Sequence, residues 1–347
     1  MKQSPPARPW LAPLVPAYRL ALALREFQLR SGLKPIRRLR WPVVSIGNLS
    51  AGGSGKTPLA IALAKALAAR GLHVDVLSRG YGRRRSTLPL LVDGDGTAED
   101  FGDEPLLIAR ETGVPVYVAD ARYQAGLLAE KASQQVGESA SEQVRVHLLD
   151  DGFQHRQLAR DIDILLLSRR DLTDRLLPAG NLREALRAAK RADVIAIPAD
   201  ARDVEEEIKL QNWFRGWQGT VWRLRRRMEI PPIDGPVAAF CGIARPEQFF
   251  QGLEAAGVRL AARIAFPDHH GYSARDFDHL LAEARQAGAM ALLTTEKDRV
   301  RLGALAASLP ETLALKVAQL RVEIENQDHV IDWLIGRLES SRPVQRP

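Results

Sequence analysis

VVSIGNLSAGGSGKTPLAIALAKAL, residues Val43–Leu67, decides how the rest of the chain is read. An apolar, strand-like run (Val43–Ile46) enters a glycine-rich loop, Gly55-Lys56-Thr57 follow, and beyond them apolar residues recur at helical spacing. Glycines let backbone N–H groups curl around phosphate oxygens, and the N-terminus of the following helix adds a favourable dipole. The nucleotide-binding residues are therefore Ser50, Ala51, Gly52, Gly53, Ser54, Gly55, Lys56 and Thr57. Lys56 reaches the β- and γ-phosphates, and the Thr57 hydroxyl binds Mg²⁺. Ser50 stands where G-x-x-x-x-G-K-[ST] has its first glycine; the strand-loop-helix context and Gly52, Gly53 and Gly55 compensate.

A phosphate loop of this kind requires a second apolar strand ending in an acid, and Val144–Leu149 followed by Asp150 and Asp151 fits. Asp150 or Asp151 would hold or orient the Mg²⁺, with Asp150 taken as the metal acid and Asp151 placed in the catalytic group, and which of them touches the metal is open in the sequence. No N-K-x-D guanine reader occurs, which favours ATP over GTP.

Around these two strands the text alternates. Strand-like runs at Pro42–Ile46, His73–Leu77, Val114–Val118, Val144–Leu149, Ile162–Leu167 and Val194–Ile197 are separated by helical stretches such as Leu59–Arg70, Asp120–Ala132 and Leu182–Lys190. That predicts an α/β fold: a P-loop NTPase-like, mostly parallel sheet with helices on both faces. Residues 209–235, with three tryptophans and five arginines, are read as a two-stranded linker turning near Gln218-Gly219. A single such segment makes a poor groove for single-stranded nucleic acid. After Pro236 a smaller α/β pattern begins, with helices over Pro246–Ala256 and Ala274–Gln286. The expected organisation is a basic N-terminal arm (1–41), a P-loop domain (42–208), the linker (209–235) and a smaller α/β domain (236–347). The polar stretch Ser133–Gln143 is read as a surface loop.

The 347 residues carry 49 Lys/Arg and 42 Asp/Glu, a net charge of +7. Residues 1–42 alone hold nine basic residues and Glu26, so the arm is +8 and the body −1. Basicity confined to an arm argues against nucleic acid as partner. One cysteine, Cys241, excludes a disulfide scaffold, and no apolar run is long enough to span a bilayer. In the arm a helix is expected from Ala17 to Ser31, with Arg19, Glu26 and Arg30 on one stripe and Leu20, Leu24 and Phe27 opposite. Two readings follow: a terminal helix packed on the body, or an interfacial anchor on an anionic membrane.

Transfer of phosphate to an alcohol needs a base beside the attacking oxygen. FGDEP places Asp103 and Glu104 on a tight turn, DDGFQHR adds His155 and Arg156, and FPDHHGY places Asp268, His269 and His270 in the second domain. A histidine from one domain beside an acid from the other would form a dyad across a cleft.

SIGNLSAGGSGKTP, LSRGYGRR (Leu77–Arg84), GDEP, LDDGFQHR, LPAGNLRE (Leu177–Glu184), FPDHHGY and TTEKD (Thr294–Asp298) occur in that order. Together they resemble the tetraacyldisaccharide 4'-kinases, the lipid A 4'-kinases of Gram-negative bacteria. The resemblance implies phosphorylation, by ATP with Mg²⁺, of the 4'-hydroxyl of a tetraacylated glucosamine disaccharide 1-phosphate. It also implies a peripheral enzyme on the cytoplasmic face of the inner membrane, whose partners are the acylated disaccharide lipid and the anionic membrane surface, with no nucleic acid and no obligate protein partner. By motif, Asp103 matches the base that takes the sugar hydroxyl proton, His269 its dyad partner, Asp150 and Asp151 the metal-linked acids, and Arg183 a phosphate-side cation. Asn181 stands where the family pattern has proline, and His270 leaves two candidates for the histidine that pairs with Asp103.

Overall fold

The computed structural model describes residues 8–52, 55–84, 86, 88–135, 144–199, 214–310 and 313–340. Among them the chain runs α1 (Val15–Arg30), β1 (Val43–Asn48), α2 (Lys56–Ala69), β2 (His73–Ser78), β3 (Leu90–Leu91), α3 (Ala98–Phe101), α4 (Asp103–Thr112), β4 (Val116–Val118), α5 (Arg122–Gln135), β5 (Arg145–Asp150), β6 (Ile162–Leu166) and β7 (Val194–Pro198). It continues with β8 (Thr220–Glu229), β9 (Val237–Cys241), α6 (Pro246–Ala255), β10 (Leu260–Ala265), α7 (Ala274–Gln286), β11 (Ala291–Thr295), α8 (Glu296–Leu302), β12 (Ala314–Ile324) and α9 (Gln327–Ser340).

The strands form one sheet in the order β10-β9-β11-β12-β8-β7-β6-β1-β5-β2-β4-β3. β1 lies between β5 and β6, parallel to both, and all six of its residues are buried. A continuous apolar strand of this kind is what a sheet covered on both faces demands. Two pairings are antiparallel, β3 with β4 at the edge and β8 with β12 in the middle.

The β8–β12 pair is staggered. Thr220–Leu224 of β8 pair with β7, whereas Leu224–Glu229 pair with Gln319–Ile324 of β12, and Ala314–Ala318 pair with β11. The second half-sheet (β12, β11, β9, β10) is therefore shifted along β8, beyond the carboxyl ends of the first half-sheet's strands, and runs in the opposite direction. The carboxyl edges of the two parallel halves face each other across a gap. Ligands of open α/β sheets bind at carboxyl edges.

The two joining strands come from residues 220–229 and 314–324, and the turn expected at Gln218-Gly219 does not join a strand pair; Phe214–Gly219 lead into β8. The reason is that β8 finds its antiparallel partner in the distant β12. α9, expected with the smaller unit, returns to the first. Its stripe Val330, Ile331, Leu334 and Leu338 is buried in the same core as α2, α4, Trp222 and Leu224. Trp222 stacks edge-on to Trp333, and Trp217 Nε1 donates to the Ala192 carbonyl at 2.8 Å, so these tryptophans are core residues. The expected helix Leu182–Lys190 is replaced by a 3₁₀ helix over Leu186–Arg191, because Leu182 bridges to Ser50 and Leu176 and the Arg183 N–H donates to the Leu49 carbonyl. Ser133 lies in α5, and the rest of the stretch read as a loop falls largely outside the described residues, as do Gly53 and Ser54.

α1 rests on the body by a mixed face that buries Leu29, while Arg19 and Arg30 of the expected polar stripe stay exposed. Val15, Tyr18 and Leu22 rest on the body, Glu26 pairs with Arg156, and the Arg25 guanidinium donates to the Gln154 carbonyl. Leu20, Leu24 and Phe27 face outward, together with Trp10 and Leu14 just upstream, each more than half exposed. No helix among the described residues is long and apolar enough to cross a membrane.

Because α9 completes the first core, truncating Leu334, which is fully buried, to alanine is expected to destabilise the protein by about 2–5 kcal/mol, the usual cost of a Leu→Ala cavity. Chemical denaturation measures this; a change below about 1 kcal/mol would show that α9 is peripheral to the core.

Candidate active site

The loop after β1 is held open by packing from below. Gly47 lies so close to Phe153 that a Cβ there would sit 2.5 Å from the Phe153 Cβ, which fixes the DDGFQHR turn against the strand leading to the loop. Asn48 Nδ2 donates to the Ser50 carbonyl at 2.7 Å, and the Ala51 N–H donates to the Asn181 carbonyl at 2.8 Å. Asn181 is itself tied by its side chain to Asp174 at 2.9 Å, so a hydrogen bond does what proline would do for that loop. Ser50 does not need the left-handed region; Gly52 (φ 99°) and Gly55 (φ 90°) do, and Gly55 is the N-cap of α2. Lys56 opens the helix. Its Nζ donates to Asn48 Oδ1 at 3.1 Å and lies 3.5 Å from Asp151 Oδ1. Thr57, one residue on, is buried.

Asp150 ends β5 beside this loop. Its Oδ2 accepts from Ser78 Oγ at 3.3 Å, while Oδ1 is buried with no hydrogen-bond partner. Burial, with the charges of Glu104 and Asp151, pushes the Asp150 carboxyl up to about 7. Asp151 adopts φ 50° and turns away, toward Lys56 and toward Arg183, whose Nη1 donates to it at 3.0 Å. Burial disfavours its charge, but Lys56 and Arg183 outweigh it and its pKa is lowered. Arg122, also buried, feels both acids; burial and Arg79 bring it down to about 10. His155 is kept neutral, lowered to about 4 by burial and the surrounding arginines.

An orphaned buried carboxylate oxygen at the end of the strand beside β1, with a buried threonine in the first turn of α2, fits Mg²⁺, which takes one or two protein oxygens and leaves the remaining positions to phosphates and water. No cluster of three or more acidic, histidine or cysteine ligands occurs among the described residues.

On the same half of the molecule, Asp103 opens α4 and faces the gap. Gly102 before it has φ 90°, and a Cβ there would meet the Tyr81 carbonyl at 2.8 Å, so the GYG and GDEP motifs interlock backbone to backbone. Asp103 Oδ1 accepts from the Glu104 N–H at 2.9 Å, and Oδ2 lies 3.1 Å from His269 Nδ1. His269 follows β10 with φ 59°, and its N–H donates to the Gly242 carbonyl; this turn aims its ring at Asp103, beside Tyr81 at 5.1 Å between ring centroids. His270 points elsewhere, stacked on Phe266 at 4.7 Å with Nε2 3.2 Å from Asp276. The structure thus brings His269, and not His270, to Asp103.

Three groups that sequence reading did not single out complete the site. Arg301 on α8 donates from Nε to Asp103 Oδ2 at 2.8 Å, Lys297 pairs with Glu104, and Asn48 holds Lys56. Lys297 was visible inside the TTEKD motif; nothing in the sequence distinguishes Arg301 from a solvated helix charge. Despite burial, Asp103 is held well below the carboxylate range by His269 and Arg301, and the hydrogen bond to Asp103 raises His269. Glu104 and Lys297 both act electrostatically on Asp150, so the dyad and the metal acid share one field.

A phosphate loop with its lysine, a strand-end acid and a facing acid–histidine pair define a P-loop phosphotransferase of the α/β class. The tetraacyldisaccharide-1-P 4'-kinase family profile matches residues 7–339. A tetraacyldisaccharide 4'-kinase from Koribacter versatilis is 40% identical over 337 residues, 94% of this chain and 98% of that one. Another from Neisseria gonorrhoeae is 39% identical over 280 residues, covering 78% and 76%. The crystal structure of LpxK from Aquifex aeolicus in complex with ATP superposes with a TM-score of 0.70 at 32% identity, over 95% of this chain and 99% of that chain. The chain belongs to the tetraacyldisaccharide 4'-kinase family. It is an enzyme, an ATP-dependent kinase of a lipid disaccharide hydroxyl in lipid A biosynthesis.

The raised pKa of Asp150 has a stability consequence. The folded protein keeps a proton there that the unfolded chain has released, so this group's contribution to stability falls as pH rises from about 4 to about 7. Replacing Asp150 by Asn is therefore expected to stabilise the nucleotide-free protein at pH 8 by roughly 1–3 kcal/mol while abolishing transfer. Thermal melts at pH 5 and pH 8 test it; an unchanged or lower midpoint at pH 8 would contradict the burial argument.

Proposed function

We propose that the two facing edges divide the labour of transfer. The first presents the terminal phosphoryl group of ATP, and its Asp103 joins His269 of the second to take the proton from the sugar 4'-hydroxyl that attacks it. The observation that supports this most directly is that Asp103 and His269, from opposite sides of the gap, meet at 3.1 Å beside the field of the metal acid.

On the first side, the amides of Ser50–Gly55 and the α2 dipole receive the phosphates, and Lys56 and Arg183 neutralise the γ-phosphoryl oxygens. Asp151 holds both cations in place before the nucleotide arrives, at 3.5 Å and 3.0 Å. Thr57 and Asp150 would hold Mg²⁺, which supplies charge neutralisation between the β- and γ-phosphates. Where the two sides meet, Asp103 and His269 accept the acceptor's proton as the oxygen attacks. Phosphoryl transfer asks for positioning and charge stabilisation, which is what these residues offer.

The acceptor carries four acyl chains that stay in a bilayer, so the enzyme must come to the surface. α1 supports that reading, since an exposed apolar stripe turned away from the body is costly in water and favourable in an interface. It is flanked by the basic arm, where each Lys/Arg near an anionic leaflet adds about 1 kcal/mol. Tyr18 Oη donates to the Arg183 carbonyl at 2.8 Å, which joins the membrane-facing helix to the phosphate side of the site. The proposed location is peripheral, on the cytoplasmic face of the inner membrane.

Incubation with γ-labelled ATP and the tetraacylated disaccharide 1-phosphate should place label on the sugar; lipid-independent ATP hydrolysis with unlabelled sugar would overturn the reading. Asp103→Ala is expected to lower kcat by ~10²-fold or more with ATP affinity retained, the usual worth of a general base. Replacing Leu20, Leu24 and Phe27 together by glutamate should release the protein from anionic vesicles in sedimentation assays and leave nucleotide affinity intact. Undiminished sedimentation would remove α1 from membrane docking.

A further inference from the structure

Asp103 and Glu104 are consecutive acids in the first turn of α4, and α8 meets them with two cations one helical turn apart, Arg301 and Lys297. α4 belongs to the first half-sheet and α8 to the second, so the two ion pairs form a ladder across the gap. The rungs are unequal. Lys297 and Glu104 are each about a quarter exposed, whereas the side chains of Arg301 and Asp103 are each only 5% exposed.

The Arg301 guanidinium is held from behind by its own half of the molecule. Nη1 donates to the Gly242 carbonyl and, at 3.0 Å, to Asp298 Oδ1. Asp298 is fixed in turn by the Gly242 N–H at 3.0 Å, the Tyr272 hydroxyl at 3.0 Å and the Thr295 hydroxyl at 2.6 Å. The free side of the fork, Nε and Nη2, closes on Asp103 Oδ2, the oxygen that also faces His269 Nδ1; Nη2 lies 3.3 Å from that nitrogen. A planar guanidinium serves such a shared oxygen in a way an ammonium cannot.

We propose that Arg301 is a positioning residue for the transfer reaction: from the second half-sheet it fixes the Asp103 carboxylate against His269 and keeps that pair ready to accept a proton. This rests on reading Asp103 and His269 as the pair that takes the acceptor's proton.

The charges around the pair are Glu104 on α4, Asp268 beside His269, and Lys297, Asp298 and Arg301 on α8; Tyr81 faces the imidazole from the loop after β2. Of these, Arg301 alone bonds to Asp103 and also touches His269. Its charge stabilises the carboxylate form of Asp103 and opposes protonation of His269. Both effects act in one direction. Without Arg301 each group holds a proton to higher pH, and less of the dyad is basic at neutrality.

The test is the pH profile of kcat/KM for the lipid disaccharide in Arg301→Gln and Arg301→Lys, with binding of a fluorescent ATP analogue measured in parallel. For Arg301→Gln the acid limb should move up by about one pH unit, cutting activity on that limb by up to ~10-fold and restoring much of it at alkaline pH. Arg301→Lys should move the limb less, and analogue binding should stay at the wild-type value in both. A merely structural role would lower activity by the same factor at every pH; a profile parallel to wild type in both variants overturns the proposal. If the glutamine variant does not fold, the lysine variant carries the same comparison. Failure of the wild-type protein to label the sugar would instead overturn the phosphotransfer reading, so the two failures are distinct.

Discussion

The antiparallel contact between β8 and β12 is the constraint on which the site depends. Two parallel half-sheets joined by a parallel pair would present their carboxyl edges side by side. One antiparallel pair, staggered so that each strand spends half its length in each half-sheet, turns the edges toward each other. His269 and Gly242, after β10 and β9, then meet the first turn of α4, while the loop after β1 stays on the opposite wall. Strands far apart in sequence thereby supply one site, and the apolar stripe of α9 seals the junction from the first side.

Electrostatics fills the gap so formed. The phosphate-side cations are not bare: Asp151 neutralises Lys56 and Arg183, so the loop can hold positive groups without a nucleotide. Asp150 is the opposite case, a buried acid with an unpartnered oxygen, held at some cost to stability at the place proposed for the cation. Asp103, on the same wall, is stabilised as an anion by His269 and Arg301, which reach it from the far wall. In the proposed division of labour the first wall would receive the cation and the junction of the two walls the proton, and phosphoryl transfer needs little further from the protein beyond orientation and exclusion of water.

Much of this was legible from residue order. The β1–α2 stretch, the acids closing β5 and the alternation of strands fix the sheet, because buried parallel strands leave continuous apolar runs. The helix Ala274–Gln286 is observed with those bounds. β12 was not legible, since Ala314–Ile324 mixes Lys316, Gln319, Arg321 and Glu323 into a half-exposed strand whose partner lies about 90 residues away. The helical wheel puts Leu20, Leu24 and Phe27 on one stripe, which is exposed, but groups Glu26 with Arg19 and Arg30, which are exposed too; Glu26 and Arg25 instead find partners on Arg156 and Gln154, which only tertiary structure brings near. Similarly, His269 and His270 are equivalent as letters and differ by a backbone turn at φ 59°. Arg301 was hidden because its meaning comes from Asp103, 198 positions earlier.

The most direct test of the central idea is a crystal structure with a non-hydrolysable ATP analogue and the disaccharide 1-phosphate headgroup bound together. The account predicts the terminal phosphoryl group beside Lys56 and Arg183. It also predicts the sugar 4'-oxygen within hydrogen-bonding reach of the Asp103–His269 pair, about 2.6–3.2 Å. A headgroup bound with its 4'-oxygen on the far side of the phosphoryl group from that pair would contradict it.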